Sequence, residues 1–260
     1  MKLVRLLCDL GRRYPRYGCR MLHQMVVRQW IRQDRSKEKL NVKRIRRRCG
    51  KYGLTLSRGK LHQRGGQSVR IPCRAEYPNH VWAYDFILDA LENGRNLKIL
   101  TVEDQYTRQA LAVEVAHSLK ATAVAQTLLR LFRSHGAPRY VRLDNGREFI
   151  AKALKRRLKE AGVTCRHIDP GSPWPNGIKE RFNGTLRWEC LDMETFGTAS
   201  HAQAFCQRYC GEYNRRRPHS SLPYRTARRV CGADRGGGFF HPPPHLHPAL
   251  QLSSLGWQCG

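Results

Sequence analysis

The sequence predicts an α/β domain with a mixed sheet, preceded by a small helical domain. Over residues 81–216, segments with the alternation of strands and segments with helical spacing follow in the order β-β-β-α-β-α-β-α-α. Residues 1–54 show helical patterns only. The polar stretch 55–79, with several glycines and prolines, divides the two parts and is interpreted as a basic linker.

In the N-terminal part, residues 2–30 are predicted to form two helices with a turn near Gly18. Asn41 is expected to cap a third helix over 42–52, with Val42, Ile45 and Cys49 on its buried face. Its other faces are basic and carry Lys43, Arg44, Arg46, Arg47 and Arg48. This pattern is helix-turn-helix-like and favours DNA contact, the alternative being a helical hairpin with a solvated basic face.

The charge balance points to a polyanionic partner. The formal net charge is +28, and residues 1–79 alone hold 22 Lys and Arg against 4 Asp and Glu. Such a surface can displace counterions from nucleic acid. No apolar run reaches the roughly 18 residues that span a bilayer. The ten cysteines include no Cys-x-x-Cys, so we expect reduced thiols that serve packing rather than zinc.

The α/β part is predicted to begin with a three-strand meander over 81–89, 97–103 and 109–117. Trp82, Tyr84 and Phe86 should face one side of the first strand; Ala83, Asp85 and Ile87 should face the other. A helix over 121–134, a strand over 139–143, a helix over 148–161 and a strand over 163–168 follow. A long helix from 176 to about 195 and another over 201–216 complete the pattern.

Three carboxylates are the candidate catalytic and metal-binding residues. Asp85 lies within an apolar strand, and Asp144 ends a later strand. Glu180 lies near the start of a helix and is separated from Asp144 by 35 residues. An isolated buried carboxylate is costly, so Asp85 is expected to have a metal or a partner. Each acid also has an ordinary structural interpretation. In that interpretation Asp85 is a hydrogen-bonded residue of an edge strand, Asp144 is part of an Asp-Asn-Gly turn, and Glu180 is a surface residue.

Together the three acids predict phosphodiester chemistry. Mg²⁺ prefers hard oxygen ligands and keeps several waters, so a few carboxylates suffice to hold it. Two such ions about 3.5–4 Å apart can activate a hydroxyl, neutralise the phosphate and stabilise the leaving oxygen. The predicted cofactor is therefore a pair of Mg²⁺ ions, with Mn²⁺ able to substitute.

The motifs RYGCR, WAYDF, LDNGREF, PGSPWPNGIKERFNGTLRWECL and YNRRRPHSSL occur in an order that resembles DDE transposases of bacterial two-frame insertion sequences. The resemblance is to the second-frame product, covers about residues 10–230, and implies a retroviral-integrase-type core with a ribonuclease-H-like mixed sheet flanked by helices. It implies that Asp85 bridges both metals while Asp144 and Glu180 each bind one. The implied reaction is nicking at a 3′ end of the element, followed by attack of the freed 3′-OH on another phosphodiester.

Other residues have expected roles beside the three acids. Asn183 and Arg187, three and seven residues after Glu180 on the same helix face, are expected to contact DNA. The resemblance supports a basic residue at the position of Arg187. Asp104 is expected to be structural. His219, in a family signature, has no evident role and could be an exposed polar cap. Pro175 departs from the family pattern, which usually has Gln before the residue that is Asn176 here.

The expected organisation is a truncated helical DNA-binding region (1–54), the basic linker (55–79), the core with C-terminal helices (80–231), and a disordered or aberrant tail (232–260). Expected partners are double-stranded DNA, further copies of the chain on DNA, and a first-frame protein, with cytoplasmic, nucleoid-associated localisation. Two alternatives remain at this point: a catalytically incompetent DNA-binding remnant and a ribonuclease-H-like nuclease.

Overall fold

A computed structural model of the chain describes residues 2–32, 40–54, 75–143, 156–167 and 177–232. The predicted linker 55–79 lies outside the described residues except for its last five positions. The predicted tail lies outside them except for Gly232. The predicted domain boundaries therefore stay predictions. The two described parts are a three-helix domain and a larger α/β domain.

The N-terminal domain consists of α1 (Lys2–Arg13), α2 (Cys19–Arg32) and α3 (Val42–Lys51). Its core is formed by apolar side chains of all three helices together with Tyr14 and Tyr17 of the α1–α2 turn. Asn41 caps α3 as predicted, because its side chain accepts a hydrogen bond from the Lys43 backbone N–H at 2.9 Å. The predicted burial of Val42 is wrong: Ile45 and Cys49 are buried, but Val42, in the first turn, is exposed.

The α/β domain is built on a five-stranded mixed sheet. Its strands are β1 (Val81–Ala90), β2 (Asn96–Asp104), β3 (Ala110–Ala116), β4 (Tyr140–Leu143) and β5 (Thr164–His167). Their order across the sheet is β3-β2-β1-β4-β5. β1 to β3 form an antiparallel meander, while β4 pairs in parallel with both β1 and β5. Since β1 is the central strand, Asp85 is not on an edge strand.

Helices cover both faces of this sheet. They are α4 (Ala121–His135), α5 (156–160), α6 (Gly177–Glu189), α7 (Ala199–Arg215) and the short α8 (Ala227–Val230). The predicted long helix ends at Glu189 rather than near 195, because the chain tightens into a 3₁₀ turn over Leu191–Met193 that returns Leu191 to the core. Thr198 caps α7, which begins two residues before the predicted start.

Alternation along β1 separates the two cores as predicted. Trp82 and Tyr84 pack with α4 and with Leu158 of α5, and half-buried Phe86 packs against this cluster. Ile87, on the opposite face, packs with Phe182 and Leu186 of α6 and with residues of α7. Asp85 shares the face of Ile87, so the sequence pattern correctly directed this carboxylate toward α6.

The outer edge of β3 is protected by two side-chain amides of α7. Gln203 accepts from the Val115 N–H at 2.6 Å and donates to the Val113 carbonyl at 2.9 Å. Asn214 accepts from the Ala110 N–H at 2.9 Å and donates to the Ala110 carbonyl at 2.8 Å. These amides form hydrogen bonds with backbone groups that would otherwise be free to pair with another strand.

Candidate active site

Asp85 lies half-buried in the middle of β1, opposite Thr101 of β2. Its Oδ1 accepts a hydrogen bond from the Phe86 backbone N–H at 2.8 Å. Its Oδ2 accepts one from Nδ2 of Asn183 at 2.6 Å. Hydrogen bonds donated to a carboxylate favour its ionised form, which is the form that binds a cation.

Asn183 joins α6 to the sheet at this point. Besides donating to Asp85, its Oδ1 accepts from the buried Thr101 hydroxyl at 3.0 Å. The two bonds use opposite ends of the amide, so its orientation is set by its partners. Asn183 therefore fixes the position of the Asp85 carboxylate and the height of α6 above β1 and β2. The prediction that Asn183 contacts DNA stays a prediction.

Glu180 belongs to the first turns of α6, three residues before Asn183. Residues three apart lie on the same side of a helix. The side chain of Glu180 lies outside the described residues, as does the whole of Asp144. β4, which runs parallel to β1 with Ala83 level with Arg142, is described as far as Leu143, one residue before Asp144 in sequence.

A buried polar contact lies on the same face of the sheet, toward the start of β1. Arg142 of β4 is level with Ala83, two residues before Asp85, and donates through Nη1 to Oε1 of Gln105 at 2.8 Å. Both side chains are buried. Sequence reasoning missed Thr101, Gln105 and Arg142. Polar residues at inward positions of otherwise apolar strands were the signal that could have found Thr101 and Arg142.

Asp104 has the structural role expected of it. Its carboxylate accepts from the backbone N–H groups of Asn79 (2.8 Å), Tyr106 (2.8 Å) and Thr107 (3.1 Å), which holds the β2–β3 turn against the start of β1. Burial raises the pKa of Asp104, and the hydrogen bonds from these N–H groups oppose that shift. Asp104 therefore stabilises the β2–β3 turn.

His219 is not the exposed polar cap considered from the sequence. It is buried edge-on against the ring of Tyr213, with 4.7 Å between ring centroids, and its backbone N–H donates to the Arg225 carbonyl at 3.0 Å. Burial, and then the positive charge of Arg217, lower the pKa of His219 to about 3. The family signature around it is therefore part of the packing after α7.

The predicted DNA-contact residues lie on two surfaces. On α3, four of the five basic side chains are exposed and Arg48 is half-buried. On α6, the exposed Arg187 donates to the Leu88 carbonyl at 2.7 Å and lies 4.0 Å from a carboxylate oxygen of Asp89. None of these geometries tests DNA contact, which stays a prediction for each residue.

The described residues by themselves contain neither a metal-binding cluster nor a membrane-spanning helix. Within the described ranges, no group of three or more His, Cys, Asp or Glu side chains could hold a metal ion. Asp85 belongs to these ranges, whereas the side chains of Asp144 and Glu180 do not. In the same part of the chain, no helix has both the length and the apolar character needed to cross a bilayer.

The fold and two family profiles define an integrase-type core. Two profiles of the integrase core domain match residues 75–173 and 161–226. A chain in the cryo-electron-microscopy structure of a simian T-cell lymphotropic virus intasome in complex with PP2A regulatory subunit B56 gamma shares the fold, with a TM-score of 0.53 and 13% identity over 88% of this chain and 80% of that one. This likeness confirms the prediction of a ribonuclease-H-like fold.

Proteins of similar sequence show more narrowly to which class of integrase-type proteins the chain belongs. An uncharacterized 31.7 kDa protein of insertion element IS407 from Burkholderia multivorans is 37% identical over 225 residues, which cover 85% of this chain and 78% of that protein. The transposase for insertion sequence element IS904 from Lactococcus lactis subsp. lactis is 24% identical over 176 residues, covering 64% of this chain and 69% of that protein. The chain belongs to the DDE transposases of insertion sequences. It is therefore a DNA-acting enzyme of the polynucleotidyl transferase class.

Proposed function

We propose that Asp85, Asp144 and Glu180 form the catalytic centre of this transposase and that they hold two Mg²⁺ ions. The observation that carries the proposal is the 2.6 Å bond between Asn183 and Asp85, because it ties the helix bearing Glu180 to the strand bearing Asp85. The parallel neighbour of that strand, β4, reaches the residue before Asp144. These two observations support a common site for the three acids: α6 contacts β1 at Asp85, and β4 is described up to the residue before Asp144.

The donor set fits a hard divalent cation. Asp85 is central in the sheet, half-buried, and keeps its carboxylate oriented by one backbone and one side-chain donor. Carboxylate oxygens are the protein ligands that Mg²⁺ prefers. When bound, two such ions would supply an activated hydroxyl and neutralise the charge that develops on the phosphate. Asn183 and Thr101 would keep Asp85 in place as the ions bind.

The proposed reaction has two steps. Water attacks a phosphodiester at a 3′ end of the element, a new P–O bond forms to the water oxygen, and the 3′ oxygen leaves as a hydroxyl. That hydroxyl then attacks a phosphodiester of target DNA, joining the element to one target strand and releasing the target's own 3′ oxygen. Each step exchanges one P–O bond for another, so neither requires a covalent protein intermediate or ATP.

The basic face of α3 is proposed to hold DNA phosphates while the core acts on the strand. Its exposed arginines face away from buried Ile45 and Cys49. Replacing Arg44, Arg46 and Arg47 by Ala should reduce the slope of log affinity against log salt by about 0.9 for each phosphate that the variant no longer neutralises. Asn183 and Arg187 remain candidate DNA contacts within the core. Further copies of the chain on DNA and a first-frame protein are the proposed protein partners.

A strand-nicking assay with the full chain tests the proposal. The substrates are a duplex carrying the element end and an RNA–DNA hybrid, each with Mg²⁺ or Mn²⁺. We expect nicking and 3′-end joining on the duplex. Asp85→Asn should abolish both and leave DNA affinity nearly unchanged, because the substitution removes a cation ligand and no phosphate contact. Glu92→Gln, which removes an exposed carboxylate from the turn after β1, is the control.

Each alternative has its own signature in this assay. DNA binding without nicking by the wild-type chain would favour a catalytically incompetent remnant. Cleavage of the hybrid without joining of a 3′-OH would favour a ribonuclease-H-like nuclease. Full activity of Asp85→Asn would contradict the assigned site.

A further inference from the structure

The N-terminal domain docks on the C-terminal end of α6 through Arg16. The Arg16 guanidinium lies over the ring of Trp188, 3.9 Å from its centroid. Its Nη2 donates to the Asp192 carbonyl at 3.4 Å, and its Nε lies 3.1 Å from Sδ of Met193. One side chain of the α1–α2 turn thus contacts both the last turn of α6 and the 3₁₀ turn after it.

Two neighbouring groups of contacts support this interface. Tyr14 donates to Oε2 of Glu212 on α7 at 2.8 Å. Tyr17 lies beside Arg217, with 5.9 Å from its ring centroid to the guanidinium carbon. Arg217 in turn makes two 2.7 Å bonds to Glu189, the last residue of α6. The helical domain therefore contacts α7 directly and reaches Glu189 of α6 through Arg217.

The helix α6 is held at its middle and near its C-terminal end by different partners. Asn183, at the middle of the helix, is bonded to Asp85 and Thr101 of the sheet. Trp188, five residues further on, lies under Arg16 of the N-terminal domain. Five residues of α-helix span only about 7.5 Å, so the two contacts act on one short rigid segment. Both contacts therefore bear on the position of the same helical segment.

We infer that Arg16 is a positioning residue for the cation site: the docked N-terminal domain holds α6 at the height at which Asn183 reaches Asp85. The inference rests on the proposed function, in which Asp85 of β1 and Glu180 of α6 hold the cation. It goes beyond that function by making the affinity for the cation depend on contact between the two domains. By linkage, cation binding at Asp85 strengthens docking by the same factor.

The interface can be altered without damaging either core. A cleft of about 360 Å³ opens beside the contact, lined in part by Arg13, Arg16, Met193, Arg208 and Tyr209. Arg16 is half-buried at this cleft, and it is not one of the side chains that form the core of its own domain. Shortening it therefore leaves no cavity inside a folded unit. Arg12, an exposed arginine near the end of α1, provides a control with the same change of charge.

The test is equilibrium Mn²⁺ binding by the full chain, measured from the signal of free Mn²⁺ in electron paramagnetic resonance. The variants are Arg16→Ala, Arg16→Gln, Arg16→Lys and the control Arg12→Ala. We expect Arg16→Ala and Arg16→Gln to weaken Mn²⁺ binding about threefold to tenfold, the scale of one cation–π contact. Arg16→Lys, which keeps a cation over the ring, should recover part of that loss, and Arg12→Ala should match the wild type.

The dissociation constant separates positioning from folding. A variant that merely folds poorly lowers the number of Mn²⁺ sites per chain and leaves the dissociation constant of the folded fraction unchanged. Equal dissociation constants for Arg16→Ala, Arg16→Gln and Arg12→Ala would overturn the inference while leaving the proposed function intact. A wild-type chain that binds no Mn²⁺, or an Asp85→Asn variant that binds it equally well, would contradict the proposed site and the inference with it.

Discussion

Replacing Asn183 by Ala removes a side-chain amide that is bonded to both Asp85 and Thr101. The bond to Asp85 is short, 2.6 Å, and its acceptor is a carboxylate. A hydrogen bond to a charged group contributes about 1.5–3 kcal/mol when well shielded. Asn183 and Asp85 are both half-buried, so solvent reduces this to about 1–2 kcal/mol. Since about 1.4 kcal/mol corresponds to a tenfold change in an equilibrium constant, losing this bond corresponds to a change of about fivefold to thirtyfold in the equilibrium constant for cation binding.

This loss should be visible in the cation dependence of nicking. We expect Asn183→Ala to raise the Mn²⁺ concentration for half-maximal nicking and to lower the rate at subsaturating Mn²⁺. Asn183→Asp should be more damaging, because it places a second negative charge beside Asp85 and donates nothing to it. The assay is single-turnover nicking of an element-end duplex across a Mn²⁺ titration, with thermal unfolding measured in parallel.

Arg181→Ala is the matched control, because Arg181 is exposed on the same helix, two residues before Asn183. It should change the half-maximal Mn²⁺ concentration little. An Asn183→Ala variant with a wild-type Mn²⁺ dependence would refute the assigned role of the amide. If instead DNA affinity fell and the Mn²⁺ dependence did not, Asn183 would be a DNA contact, as the sequence suggested.

Three further predictions concern stability and association. The folded-state pKa of His219, about 3, lies below the ordinary value near 6.5. Burial of the neutral imidazole therefore contributes its full stabilisation above about pH 6.5. This stabilisation is lost as the pH falls toward 3, and the loss is about 2 kcal/mol at pH 5. Urea unfolding from pH 7.5 to 5 should show that loss. Arg217→Ala leaves the carboxylate of Glu189 buried without its guanidinium, and should lower the free energy of unfolding by about 3 kcal/mol. The double variant Gln203→Ala, Asn214→Ala exposes the backbone of β3 and should increase concentration-dependent association in light scattering.

Each of these predictions has a control. His219→Asn lacks the titrating group, so the difference between its pH profile and that of the wild type isolates His219; parallel profiles would contradict the assignment. The double variant Arg217→Met, Glu189→Leu should lose less stability than Arg217→Ala, because no buried charge is left unpaired. Gln207→Ala, exposed on α7, should not promote association, and equal behaviour of the two α7 variants would count against edge protection.

The local parts of the fold could be predicted from the sequence because local physics determines them. Alternation along β1 placed Asp85 opposite the face of Trp82, and the structure has it there. Asn41 was identified as a cap from its side chain and from the helical spacing after it. The order of strands and helices was enough to indicate a mixed sheet with helical layers.

Contacts between distant segments could not be predicted in this way. The bond between Asn183 and Asp85 joins residues 98 apart, and only the crossing of α6 over the sheet brings them together. The Arg217–Glu189 pair depends on how α7 returns beside α6. Helical spacing alone also made Val42 a core residue, because spacing cannot show which turns of a helix the other helices cover; the structure leaves Val42 exposed.

The most direct test of the catalytic centre is anomalous diffraction from crystals of the full chain soaked in Mn²⁺. We predict one or two anomalous peaks about 2.1 Å from an Asp85 carboxylate oxygen, with carboxylate oxygens of Asp144 and Glu180 completing the coordination. A saturated crystal with no peak at Asp85, or one in which the carboxylates of Asp144 and Glu180 are too far from Asp85 to share an ion with it, would contradict this prediction.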